Sequence, residues 1–147
     1  MRTLLPTLLA SVIVAAATIA APPAAYNDKD KPKVQPPVEI TKANDGNSVA
    51  VPLGREARIR LEGNPTTGYS WFLAGIDGNS VAAKGEVTYA PKPHAPGIVG
   101  SGGVFELLLR TAKAGKSTVR MEYKRPWEKE TPPIETFKVT VDVQPAQ

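Results

Sequence analysis

The chain has 147 residues, a formal net charge of +4 and no cysteine, with 41% hydrophobic and 22% charged residues. These are the proportions of an ordinary soluble globular chain, and the absence of cysteine excludes disulfides and thiolate metal sites. No run of Lys or Arg exceeds two residues, so the clustered basic stripe of a nucleic-acid binder is missing and no nucleic-acid partner is expected.

Residues 1–25, MRTLLPTLLASVIVAAATIAAPPAA, place Arg2 before an apolar, alanine-rich run from Leu4 to Ala20. Small residues follow at Ala20, Ala21, Ala24 and Ala25, the layout of a cleavable export signal. Pro6 interrupts the run, which is no longer than a minimal spanning helix, so cleavage is favoured over a retained membrane anchor. The product is expected in the periplasm or secreted, off the membrane once the signal is removed. Residues 26–37, YNDKDKPKVQPP, alternate charges, carry three prolines and have almost nothing to bury. They read as a flexible or extended linker, and the folded domain is expected over 38–147.

That domain reads as strands. Val49, Val51 and Leu53 alternate with polar or small neighbours, as do Ala57, Ile59 and Leu61. Tyr69 to Leu73 is aromatic and apolar, and Val81 to Tyr89 is a weaker strand signal. Phe105, Leu107 and Leu109 share one face, as do Val119, Met121 and Tyr123. Phe137, Val139, Val141 and Val143 give the clearest alternation of all. Period two means half-buried strands. About seven of them, separated by turn signals, predict an all-β, immunoglobulin-like antiparallel β-sandwich.

Catalytic machinery is hard to assemble from these residues. His94 is the only histidine and sits in PKPHAPG, where a solvated side chain is the ordinary state. Ser101 lies in VGSGG, but a nucleophile elbow needs glycine where Val99 stands. After Gly100 and Gly102 a dinucleotide fingerprint would need a third glycine where Phe105 stands. Glu128 and Glu130 lie among lysines and read as a solvated loop. No catalytic residue, metal ligand or cofactor is therefore expected.

Three connections stand out: GNPTTG (63–68), PKPHAPGIVGSGG (91–103) and KRPWEKETPP (124–133). In a sandwich of this topology they gather at one end, as antigen-binding loops do. Trp127 is a large aromatic in a charged loop, and Gly100, Gly102 and Gly103 leave backbone bare where a strand begins. The bland reading is that the glycines make a bulge and Trp127 folds back on the sheet.

NPTTGYSW (64–71), GSGG (100–103) and RPWE (125–128), in this order, resemble the three signature loops of the chagasin-like inhibitors of cysteine peptidases. The resemblance spans essentially the whole expected domain. It implies an immunoglobulin-like fold and tight, reversible inhibition of papain-like cysteine peptidases by a monomer. By that resemblance Asn64, Pro65, Thr66, Thr67, Gly68 and Tyr69 enter the catalytic cleft, with Thr66 approaching the peptidase cysteine and histidine. Gly100, Ser101, Gly102 and Gly103 flank one side, the bare glycines letting the backbones come close. Arg125 and Pro126 position Trp127 against an aromatic on the other side.

The residue choices in the first loop suit that task. Pro65 restricts itself and Asn64, the two threonines have stiff χ1 angles, and Gly68 allows a turn closed to other residues. A loop ordered in advance loses little entropy on docking and resists threading as an extended substrate. Trp71 is expected in the core, bracing the loop from below. The alternative is a non-inhibitory immunoglobulin-like binding module, such as an adhesin or carbohydrate binder, which explains fold and export but not these loops.

Overall fold

The computed structural model describes residues 34–93, 95–97 and 100–146, so the expected export signal, most of the expected linker and His94 lie outside the described residues. In chain order the strands are β1 (Val38–Thr41), β2 (Ser48–Pro52), β3 (Glu56–Gly63), β4 (Ser70–Asp77), β5 (Val81–Ala83), β6 (Thr88–Pro91), β7 (Gly103–Thr111), β8 (Gly115–Lys124) and β9 (Glu135–Gln144). Nine described strands replace the expected seven. The four residues of β1 are too few to declare an alternation. The stretch from Val81 to Tyr89 breaks at Lys84-Gly85-Glu86, and its two halves, β5 and β6, pair with different parts of β7.

Two sheets form the sandwich. One has the order β1-β3-β7-β5 with β6 also on β7, and the other runs β2-β9-β8-β4. The sandwich is antiparallel as expected except at two edges, where β1 lies parallel to β3 and β2 parallel to β9. The cause is the connection through 42–47, which carries the chain from the edge of one sheet to the edge of the other. Strands joined by a tight hairpin must run antiparallel; neither β1 nor β2 is joined to its partner by such a turn.

Alternation fills the space between the sheets. Ile40, Ile59, Leu61, Leu107 and Leu109 face Val51, Val119, Met121, Phe137, Val139, Val141 and Val143, all essentially inaccessible to solvent. Their polar neighbours point outward, as period two requires. Towards one end the aliphatic core gives way to rings. Tyr123 lies 5.2 Å from Trp71, 5.6 Å from Tyr69 and 6.4 Å from Phe105, and Phe105 lies 4.9 Å from Tyr89, centroid to centroid. Such tilted and edge-on pairs add to area burial. Trp71 is 2% exposed, and its indole N–H donates to the Glu62 carbonyl at 3.0 Å, joining β4 of one sheet to β3 of the other.

Trp71 is thus core, as its alternation implies. Truncating a buried Trp to Ala costs on the order of 3–5 kcal/mol, a large part of the ~5–15 kcal/mol that holds a small domain together. Trp71→Ala is expected to lower the melting temperature sharply or abolish soluble expression, as thermal denaturation followed by circular dichroism would register.

Candidate functional site

Above the aromatic end three connections emerge: 64–69 between β3 and β4, 92–102 between β6 and β7, and 125–134 between β8 and β9. The first is ordered by its own sequence. Pro65–Thr67 form a single 3-10 turn with Asn64 as its cap. The Asn64 side-chain oxygen accepts the Thr66 N–H at 3.1 Å and the Thr66 hydroxyl at 2.7 Å. The Thr67 hydroxyl donates to the Asn64 carbonyl at 2.7 Å, and the Gly68 N–H to the Pro65 carbonyl at 2.9 Å. Proline suits the first helical position because its missing N–H would have had no partner there. Gly68 ends the turn with φ +83°, the left-handed region. Thr66 and Thr67 are left exposed at the tip.

Both neighbouring loops hold this turn. The Asn64 side-chain NH2 donates to the Gly100 carbonyl at 2.9 Å, tying the turn to the glycine-rich loop. On the other side, Arg125 donates from Nε and Nη2 to the Thr67 carbonyl at 3.2 and 3.1 Å. Its guanidinium lies 4.4 Å from the Tyr69 ring centre, a cation–π distance. Nη1 donates to Glu128 at 3.0 Å, and that hydrogen bond raises the Arg125 pKa above its ordinary value despite some loss of hydration. Trp127 is 64% exposed, yet its ring edge rests on the turn: a methyl group built on Gly68 would stand 2.5 Å from Trp127 Cη2. The three loops are therefore one assembly, and Trp127 does not fold back on the sheet.

The fixing extends downward through Tyr123. Its phenol oxygen accepts the Asn64 backbone N–H at 2.9 Å and reaches the Asn64 carbonyl at 3.4 Å. Tyr123 belongs to β8 in one sheet and Asn64 follows β3 in the other, so a single hydroxyl links the sandwich halves beneath the tip. Sequence reasoning missed this role because Tyr123 reads as one more residue in an alternating strand, and it read Glu128 as part of a solvated loop where the structure pairs it with Arg125.

The glycines of the second loop differ in role. Gly100 is exposed, while Ser101 and Gly102 are half-buried. Gly103 is buried at the start of β7 between Gly63 and Pro91, and a side chain there would collide with the Ala90 carbonyl and come within 2.6 Å of the Tyr89 ring. A methyl on Gly102 would sit 3.0 Å from the Gly63 carbonyl. Both positions are thus already required to be glycine within the domain, by its own backbone and by Tyr89, a packing role that the sequence did not reveal. Pro126 is exposed beside Trp127. Among the described residues no group of three or more His, Asp or Glu side chains is placed to hold a metal ion. What the assembly offers is a fixed projection, two exposed threonines and an exposed indole.

Comparison with known proteins gives concordant results. The model of the chagasin family peptidase inhibitor I42 matches residues 50–141. The chain is 34% identical over 107 residues to amoebiasin-1 of Entamoeba histolytica, covering 73% of this chain and 100% of the relative. It is 29% identical over 105 residues to chagasin of Trypanosoma cruzi, covering 69% and 93%. The crystal structure of the cysteine protease inhibitor EhICP2 from Entamoeba histolytica superposes with a TM-score of 0.63 at 27% identity, over 73% of this chain and 95% of that one.

Removing the phenol oxygen alone leaves the Asn64 N–H without a partner, which costs on the order of 1 kcal/mol. Tyr123→Phe is expected to lower the melting temperature by roughly 4–8 °C and to speed amide exchange at Asn64 and Thr66. Hydrogen exchange read by NMR separates that local loosening from general destabilisation.

Proposed function

From its membership of the chagasin family of cysteine peptidase inhibitors, we propose that this chain is a tight-binding, reversible inhibitor of papain-like cysteine peptidases. It is exported to the periplasm or secreted, and acts there as a monomer. Loop 64–69 enters the catalytic cleft with Thr66 facing the peptidase cysteine and histidine. Gly100, Ser101, Gly102 and Gly103 flank it on one side, with Gly103 also seating the start of β7. Arg125, Pro126 and Trp127 flank it on the other, with the indole packed on an aromatic of the peptidase.

The observation that carries this reading is that the turn at 64–68 is hydrogen-bonded to both adjacent loops in the free chain. Docking then orders few new torsions, and rigidity of that kind is a principal source of affinity between proteins. An exposed Trp beside a fixed wedge is also the residue type that dominates interface energetics.

Titration of papain with the purified chain tests the proposal: stoichiometric loss of activity is expected, and undiminished activity at micromolar chain would overturn it. A central interface aromatic is worth at least ~2 kcal/mol, about thirtyfold in affinity. Trp127→Ala is accordingly expected to weaken inhibition by about that factor with little change in melting temperature. Thr66→Arg should weaken inhibition far more than Ser48→Arg, since Ser48 lies in β2 outside all three loops. Equal inhibition constants for that pair would remove Thr66 from the contact.

A further inference from the structure

We propose that Arg125 decides whether the loop behaves as an inhibitor or as a substrate, by holding the Thr67 carbonyl where a peptidase cannot use it. This rests on the inhibitory reading above and adds a residue-specific cause for the loop's survival in the cleft.

Cleavage at Thr67–Gly68 by a cysteine peptidase has definite requirements. The enzyme's thiolate attacks the Thr67 carbonyl carbon, and the oxygen becomes an oxyanion that must sit against the enzyme's own hydrogen-bond donors. The C–N bond then breaks, the Gly68 amine leaves with a proton, and water hydrolyses the thioester to release the Thr67 carboxylate and the thiol. The scissile carbonyl oxygen must therefore be free to turn towards the enzyme.

Two earlier carbonyls of the loop are bonded inside the turn, that of Asn64 with a further, longer contact from the Tyr123 hydroxyl at 3.4 Å. The Asn64 carbonyl accepts the Thr67 hydroxyl at 2.7 Å and the Pro65 carbonyl accepts the Gly68 N–H at 2.9 Å. The Thr67 carbonyl is at the exit of the turn, next to the exposed tip and followed by glycine, where the chain is easiest to extend. Its oxygen is held from outside the turn by the two-pronged guanidinium of Arg125 at 3.2 and 3.1 Å. That guanidinium is itself fixed, by the Tyr69 ring at 4.4 Å and by Glu128 at 3.0 Å. On the leaving-group side, the Trp127 ring edge covers Gly68. Planar, forked donors are what distinguishes arginine from lysine in this position. Losing two charge-assisted bonds raises the population of the released loop on the order of tenfold to a hundredfold, and proteolysis tracks that population when opening is fast.

The experiment uses the full chain incubated with papain at concentrations that saturate each variant, with residual activity and intact mass followed together. The wild-type chain is expected to inhibit at once and stay uncut. Arg125→Met, which keeps an apolar stem over Tyr69 and loses the donors, is expected to be cut at Thr67–Gly68 at least ~10-fold faster, with papain activity returning. Arg125→Lys, restoring one donor, should fall between them. If Arg125→Met melts early, Glu128→Gln tests the same contact by freeing the guanidinium, and a smaller acceleration at the same bond is expected. Variants that stay as intact as wild type, or that are cut only elsewhere, would overturn the proposal. A wild-type chain that fails to inhibit at time zero would instead sink the inhibitory reading, and this inference with it.

Discussion

The side-chain amide of Asn64 has two chemically different ends, and the structure uses both. The carbonyl end caps the turn by accepting the Thr66 N–H and hydroxyl, and the NH2 end reaches the Gly100 carbonyl in the neighbouring loop. Aspartate could do the first and not the second; serine could cap but not span the gap. The residue's backbone is held as well, by the Tyr123 phenol. An exposed loop has backbone polar groups to satisfy and few neighbours to satisfy them with, and this one residue answers for most of them. Its φ of −131° and ψ of 99° are extended, which is what a proline in the next position asks for.

Beneath Asn64 the order is passed down through rings rather than aliphatic side chains. Tyr123 touches Tyr69, Trp71 and Phe105 while its hydroxyl is engaged at the tip. An aromatic with a polar end suits a boundary between dry core and wet loop. Trp71 does the same one layer lower, its ring buried and its N–H on the Glu62 carbonyl. Core packing and loop conformation are thus coupled through groups that belong to both, so loosening the floor is felt at the tip.

Strands were legible wherever three or more alternating positions are apolar. Phe137, Val139, Val141 and Val143 are all buried, as are Ile59 and Leu61. Periodicity carries no direction, however, so it was silent on the parallel pairing of β1 and β2, and a four-residue strand such as Val38–Thr41 offers it too little to work with. At the loop end, the clustering of the three connections and the exposure of Trp127 followed from sequence. The reach of Tyr123 did not, because it depends on the distance between sheets. Gly102 and Gly103 show a different limit: a missing side chain signals that something comes close without naming it, and the structure shows that Tyr89 and the backbone of residues 63 and 90 already do.

The crossing of the chain between the sheets near residues 42–47 also sets the order in which the domain can form. Ser48 pairs with Thr140 and Val51 with Val143, so β2 has as its partner a strand made about 90 residues later. Until β9 has emerged, β2 presents an unpaired edge and the core residue Val51 has half its surroundings missing. Non-local pairing of this kind slows folding, because loop closure must precede the contacts that reward it. Completion of the sandwich therefore waits for β9, and until then the edge of β2 and the inward face of Val51 lack their partners.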